Sequence, residues 1–163
     1  MSVKIIQGNI LDSKADYICH QVNCQGAMNS GVAKAIRQKW PKVYERYYNS
    51  GIDVSDDDDF TETHMSWTHM LGKIQCVVVE ENKVVINMFA QENYGYNGLR
   101  YTSYDAFWSC LGELREAPKG STIAFPYMIG CVRGGARWNI IYTMIVEALG
   151  EDYNVEFWRL DNG

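Results

Sequence analysis

The stretch Ile18-Cys-His-Gln-Val-Asn-Cys-Gln-Gly-Ala-Met-Asn-Ser-Gly-Val-Ala33 decides how this chain is read. It starts as a β-rich run, breaks at Asn23 into small and polar residues, and turns periodic again at Gly31, with Val32, Ala33, Ile36 and Trp40 at helical spacing. The pattern is a strand, a loop and a helix start. A helix beginning there leaves unpaired N–H groups and the positive end of its dipole facing the loop. Gly26 and Gly31 let backbone approach an anion with no Cβ in the way, which suits a phosphate or diphosphate. An ordinary βα turn with no ligand gives the same local pattern.

Outward from this stretch, β-branched residues 3–6 are stopped by Gln7-Gly8-Asn9, and residues 17–22 form the second strand. The first helix covers about 31–39, and Pro41 suits the first turn of a second helix over 42–48. Residues 73–79 and 84–89 read as two adjacent strands joined by a short turn, able to pair as a hairpin. Thr102 and Asp105 have the form of a capping box ahead of a helix whose apolar face carries Tyr104, Phe107, Trp108, Leu111 and Leu114. A short buried strand at 121–125, a second glycine-rich loop from Pro126 to Gly135, a helix at 138–149 and a strand at 155–160 complete the chain. Alternating strands and helices predict an α/β fold, a three-layer α/β/α domain over 1–163. The hairpin makes its sheet mixed.

Composition narrows the function. The chain has 163 residues, 47% of them hydrophobic, enough for one real core. A net charge of −5 disfavours nucleic acid and anionic membrane as partners, and favours a small ligand in a local pocket. Five scattered cysteines without C-x-x-C spacing indicate neither a disulfide framework nor a zinc site, so a reduced, cytoplasmic setting is the expectation. No apolar run approaches the ~20 residues of a membrane span. The run Asp56 to Asp59 lacks the alternation of a calcium loop and reads as solvated, and His64 and His69, five apart, do not match a helical zinc pair. No metal is expected. The P-loop, G-x-G-x-x-G and G-x-S-x-G patterns are all missing.

Two glycine-bearing loops, each after a strand and before a helix, would meet at the carboxyl ends of their strands, where α/β sheets place ligands. Gly8-Asn-Ile10, His20-Gln-Val-Asn-Cys-Gln-Gly26 leading to Ser30-Gly-Val-Ala33, and Pro126-Tyr-Met-Ile-Gly-Cys-Val-Arg-Gly-Gly135 with Trp138 together resemble the macro domain. The branch resembled most includes the ADP-ribose-1″-phosphate phosphatases. The resemblance spans nearly the whole chain and implies a mostly parallel central sheet and a crevice for ADP-ribose, free or protein-linked, with no cofactor. By it, Gly8, Asn9 and Ile10 would meet the adenine, Asn9 standing where the family usually has Asp. Asn23 would hold the distal ribose, and Gly31 and Val32 the phosphates. The loop Ile129, Gly130, Cys131, Val132, Arg133, Gly134 and Gly135 would close over the diphosphate. Arg133 is either a phosphate ligand or solvent-facing, and Trp158 either covers the adenine or belongs to the core.

Two functional classes follow from the resemblance: a hydrolase acting on an ADP-ribose derivative, most of all the 1″-phosphate, and a non-catalytic ADP-ribose-binding module. In the first, His20 and Asn23 are the catalytic candidates, His20 as general acid or base near its ordinary pKa of ~6.5. As a lone strand histidine, it could equally be a satisfied core residue. A Lys–Asp mechanism for removing ADP-ribose from acidic side chains is disfavoured, because Gln91 and Gly134 stand at those positions. De-ADP-ribosylation through a water held by loop geometry stays open. Cys24 and Cys131 would be reactive only in a positive local potential.

Overall fold

A computed structural model describes residues 1–54 and 64–160. The elements are β1 (Val3–Gln7), β2 (Tyr17–Val22), α1 (Gly31–Lys39), α2 (Pro41–Asn49), β3 (Ile52–Asp53), β4 (Met65–Ser66), β5 (Ile74–Glu80), β6 (Lys83–Phe89), α3 (Tyr104–Leu114), β7 (Thr122–Pro126), α4 (Trp138–Leu149) and β8 (Asn154–Arg159). The Asp56–Asp59 run lies outside the described residues.

Six strands form one sheet in the order β1-β8-β7-β2-β6-β5. Every neighbouring pair is parallel except β5–β6, the hairpin anticipated from residues 73–89. Its turn is two residues, and Asn82 takes the left-handed φ of 61° that such tight hairpins need. The short β3–β4 pair was not anticipated.

Side chains alternate across the sheet and split the core into two layers. On one face Ile18, Val22, Val77, Val85 and Phe89 pack against Ile36, Trp40, Val43 and Tyr47 of the α1–α2 segment. On the other, Cys19, Ile86, Met88, Ile123, Phe125 and Phe157 pack against Phe107, Leu111, Ile141, Ile145 and Leu149 from α3 and α4. The result is a three-layer α/β/α fold with a mixed, mostly parallel sheet.

Several element ends shift by a residue from expectation, and two of the differences have a visible cause. The N-cap of α3 is Ser103, whose hydroxyl accepts the Ala106 N–H at 3.1 Å; Thr102 is instead drawn into a loop contact described below. The last strand begins at Asn154, tied to the chain start by Ser2. Because β2 and β7 are neighbours and parallel, the loops that follow them leave the sheet side by side.

Candidate functional site

The first loop is organised by Asn23, immediately beyond β2. Its Oδ1 accepts from the Gln25 N–H at 2.9 Å and the Tyr47 hydroxyl at 2.7 Å, while its Nδ2 donates to the Ala27 carbonyl at 3.0 Å. Beneath the loop, the Trp67 indole N–H donates to the carbonyls of Tyr47 and Tyr48 at 3.0 and 3.1 Å. The Trp67 ring fills the space that a Cβ on Gly26 would occupy, and Gly26 has φ +74°, so the position requires glycine twice over. The loop ends at Ser30, which takes an extended N-cap conformation without a side-chain cap. The first turn of α1 therefore keeps its donors available, and it carries no acidic residue.

The second loop is held from behind. The amides of Tyr101 and Thr102 both donate to the Gly134 carbonyl, at 2.7 and 2.9 Å, and the Thr102 hydroxyl donates to the Gly130 carbonyl at 2.8 Å. Gln21 Nε2 donates to Thr102 Oγ1 at 2.8 Å and to Gln91 Oε1 at 2.6 Å, tying the floor of the sheet to this loop. A Cβ at Gly134 would stand 2.5 Å from the Gly130 carbonyl oxygen. Met128 adopts φ 61°, uncommon outside glycine, and Gly130 φ +75°.

Between the loops lies a cavity of about 560 Å³. His20, Asn23, Gly31 and Val32 border it from one side, and Ile129, Gly130, Val132, Arg133 and Gly134 from the other. Arg133 is exposed at the rim, its guanidinium 4.6 Å from the centre of the Tyr96 ring. Gly8, Asn9, Ile10, Cys131 and Gly135 do not border the cavity among the described residues. The first three follow β1, an edge strand with β8 between it and β7. There Asn9 caps a short turn by accepting the Leu11 N–H at 3.0 Å, Ile10 is buried, and Gly8 lies under the Trp158 ring. Trp158 packs against the α1–α2 layer of the core, its N–H on Glu156. Gly135 is pressed against the Leu99 carbonyl, and the Cys131 thiol turns back to the Ile129 carbonyl at 3.4 Å.

His20 sits on β2 at 1% exposure, its Nε2 2.5 Å from Asn87 Oδ1. The direction of that bond is set two strands away. Gln75 Nε2 donates to the Arg46 carbonyl at 3.0 Å, so Gln75 Oε1 faces Asn87 and accepts its Nδ2 at 2.9 Å, which leaves Asn87 Oδ1 to accept from His20. The proton is thereby fixed on Nε2. Nδ1 is buried with no protein partner among the described residues. Burial lowers the pKa of the ring from 6.5 to about 4, against the opposing effect of the Asn87 bond. At neutral pH His20 is uncharged, which removes the general-acid role and leaves that of base or acceptor.

Burial pushes the thiols of Cys24 and Cys131 up to about 11, so neither is a nucleophile at neutral pH despite its place in a binding loop. Sequence reasoning passed over Gln21, Asn87 and Gln75. The available signal was an amide side chain inside the apolar run Val84-Val-Ile-Asn-Met-Phe89. Among the described residues no group of three or more His, Cys, Asp or Glu could hold a metal ion, and no helix is long and apolar enough to cross a membrane.

No family model matches the chain. A 49-residue stretch, 29% of this chain and 24% of the relative, is 39% identical to an ADP-ribose 1″-phosphate phosphatase of Aspergillus oryzae. The fold is similar to a protein of unknown function from Bacteroides thetaiotaomicron, with TM-score 0.75 and 28% identity over 98% of this chain and 99% of that one. It is also similar to the macrodomain of Thermus aquaticus DarG, with TM-score 0.70 and 19% identity over 98% and 97% of the two chains. Thermosipho africanus DarTG, solved in complex with ADP-ribose, matches with TM-score 0.70 and 17% identity over 97% of this chain and 41% of that one. The layered architecture, the strand order and these likenesses together establish that the chain has the macrodomain fold.

Proposed function

We propose that the chain binds ADP-ribose in the cavity between the two glycine-bearing loops. The observation that carries this reading is the convergence of an uncapped α1 start and of Ile129, Gly130, Val132, Arg133 and Gly134 on one concave space of about 560 Å³. Backbone N–H groups and a helix start suit a diphosphate, and the volume is in the range of small-molecule sites. The ADP-ribose complex of Thermosipho africanus DarTG supports the choice of ligand. Calorimetry with ADP-ribose tests it, with ADP and ribose 5-phosphate as fragments: saturable uptake is expected, and no heat at millimolar ligand rejects it.

A second reading, hydrolysis of ADP-ribose-1″-phosphate to ADP-ribose and phosphate, is favoured by the stretch shared with the Aspergillus oryzae phosphatase. In that reaction the neutral His20 could take a proton from water or orient it, but not protonate the leaving ribose oxygen. Phosphate release by the wild type, compared with His20→Ala and Asn23→Ala, separates hydrolase from binder. ADP-ribosylated proteins and a cytoplasmic setting belong to the same proposal.

A further inference from the structure

One side of the cavity mouth displays large apolar side chains to solvent. Tyr94, Tyr96, Val132 and Arg133 border the cavity, and Tyr96 and Val132 are 72% and 80% exposed. Leu99, 61% exposed and beside Gly135, continues the strip away from the mouth. Hydrogen bonds hold the display in place. The Tyr101 hydroxyl donates to Asn97 Oδ1 at 2.7 Å, Gln91 Nε2 to the Asn93 carbonyl at 2.8 Å, and Gln25 Nε2 to Asn93 Oδ1 at 3.0 Å, which ties residues 93–101 to the first loop. An apolar strip fixed in shape and open to water marks an interaction site.

Three arginines punctuate the strip. Arg133 lies over Tyr96, Arg100 lies over Tyr104 with its guanidinium carbon 4.5 Å from the ring centre, and the Arg137 amide donates to the Tyr104 hydroxyl at 2.9 Å. Among the described residues none of the three guanidiniums is engaged in an ion pair or a hydrogen bond. A guanidinium carried on an aromatic ring keeps its N–H edge free for a carboxylate. Over residues 91–105 and 128–137 these three arginines stand against two carboxylates, Glu92 and Asp105, so the strip is locally positive on a chain of net charge −5.

We propose that this strip docks the polypeptide to which ADP-ribose is joined, and that it takes an acidic segment with an apolar residue in it. This deepens the ADP-ribose reading and rests on it. With the diphosphate between the loops, the joined chain leaves past Tyr96 and Val132, its carboxylates meet Arg133 and then Arg100, and its apolar side chain settles on Leu99. Single-stranded nucleic acid also brings negative charge and rings that stack. It carries a phosphate at every residue, which Glu92, Asp105 and the net charge of −5 oppose, whereas a peptide places its carboxylates opposite the arginines alone.

Calorimetry of ADP-ribose joined to short peptides by a hydrolysis-resistant linkage tests the surface. A conjugate with glutamate flanks should bind roughly ten-fold more tightly than free ADP-ribose at low salt, with an advantage that shrinks as salt is raised. A conjugate with lysine flanks should bind no more tightly than free ADP-ribose. Arg100→Glu combined with Leu99→Ser should abolish the advantage and leave uptake of free ADP-ribose unchanged, because neither residue borders the cavity. Equal binding of the two peptide conjugates, or an advantage that survives the double variant, overturns the proposal. So does tighter binding of a single-stranded oligonucleotide conjugate than of the glutamate one. The unmodified glutamate peptide tests the surface by itself: amide shifts at residues 94–100 and 132–137 are expected in its NMR titration, and none there overturns the docking surface. Those shifts beside an absence of heat with free ADP-ribose would overturn the proposed function and support the acidic-peptide surface.

Discussion

Acid removes stability from this protein through one buried ring, and the amount can be worked out. His20 in the folded state has its pKa lowered from 6.5 to about 4, with desolvation as the principal cause. Between those values the unfolded chain binds a proton that the folded chain refuses. The contribution is therefore fully present above the unfolded pKa and is lost as pH falls toward the folded one. Over the whole window, at about 1.4 kcal/mol per pH step, it amounts to about 3 kcal/mol, of which about 2 kcal/mol is lost by about pH 5. For a chain of this length that corresponds to a drop of about 4–8 °C in melting temperature. Carboxylates titrate in the same range, so the quantity to measure is a difference. Urea unfolding of the wild type and of His20→Gln at about pH 7.5 and about pH 5 isolates it, because glutamine can still donate to Asn87 and does not titrate. The wild type should lose about 2 kcal/mol more than the variant over that interval. Parallel losses would refute the argument that His20 is buried and neutral.

The other expected outcomes concern the two loops. Gly134→Ala forces a Cβ against the Gly130 carbonyl and the Thr102 hydroxyl, so the loop must shift; calorimetry should show at least roughly ten-fold weaker uptake of ADP-ribose. Asn23→Ala removes the acceptor shared by Gln25 and Tyr47, and thermal or urea unfolding should register a loss of about 1–3 kcal/mol, more than Tyr47→Phe. Arg133→Ala, at the exposed rim, should leave folding unchanged and lower affinity by less than about ten-fold, with an effect that shrinks as salt is raised. Maleimide labelling near neutral pH should be slow at Cys24 and Cys131, because their thiols are held at about 11; rapid labelling of either would contradict that.

Much of this architecture could be read from the chain because its signals are local. Helical spacing in α1, α3 and α4 and the apolar strand runs each depend on neighbours within a few residues, as does the hairpin turn. The two glycine-bearing loops were legible for the same reason, and the parallel pairing of β2 with β7 brings them to one cavity. What depends on register was not legible. That His20 lies opposite Asn87, and Asn87 opposite Gln75, is decided by how three strands slide past one another, and no short window of sequence carries it. Where Gly8, Asn9 and Ile10 lie relative to the cavity was not legible for a related reason: the motif marks the end of a strand but not that strand's place in the sheet order. Ser103 displaced Thr102 as the cap of α3 because the Thr102 hydroxyl is committed to the Gly130 carbonyl.

That commitment has a kinetic meaning. With Tyr101, Thr102 and Gln21 bracing residues 130–134 from behind, the backbone facing the cavity has its shape before any guest arrives. Folding has then already met the entropy of immobilising this segment, and a guest need not supply it again. Capture should accordingly proceed at a rate governed by encounter, with no slow closing phase after contact, and differences among related guests should show mainly in how long they stay.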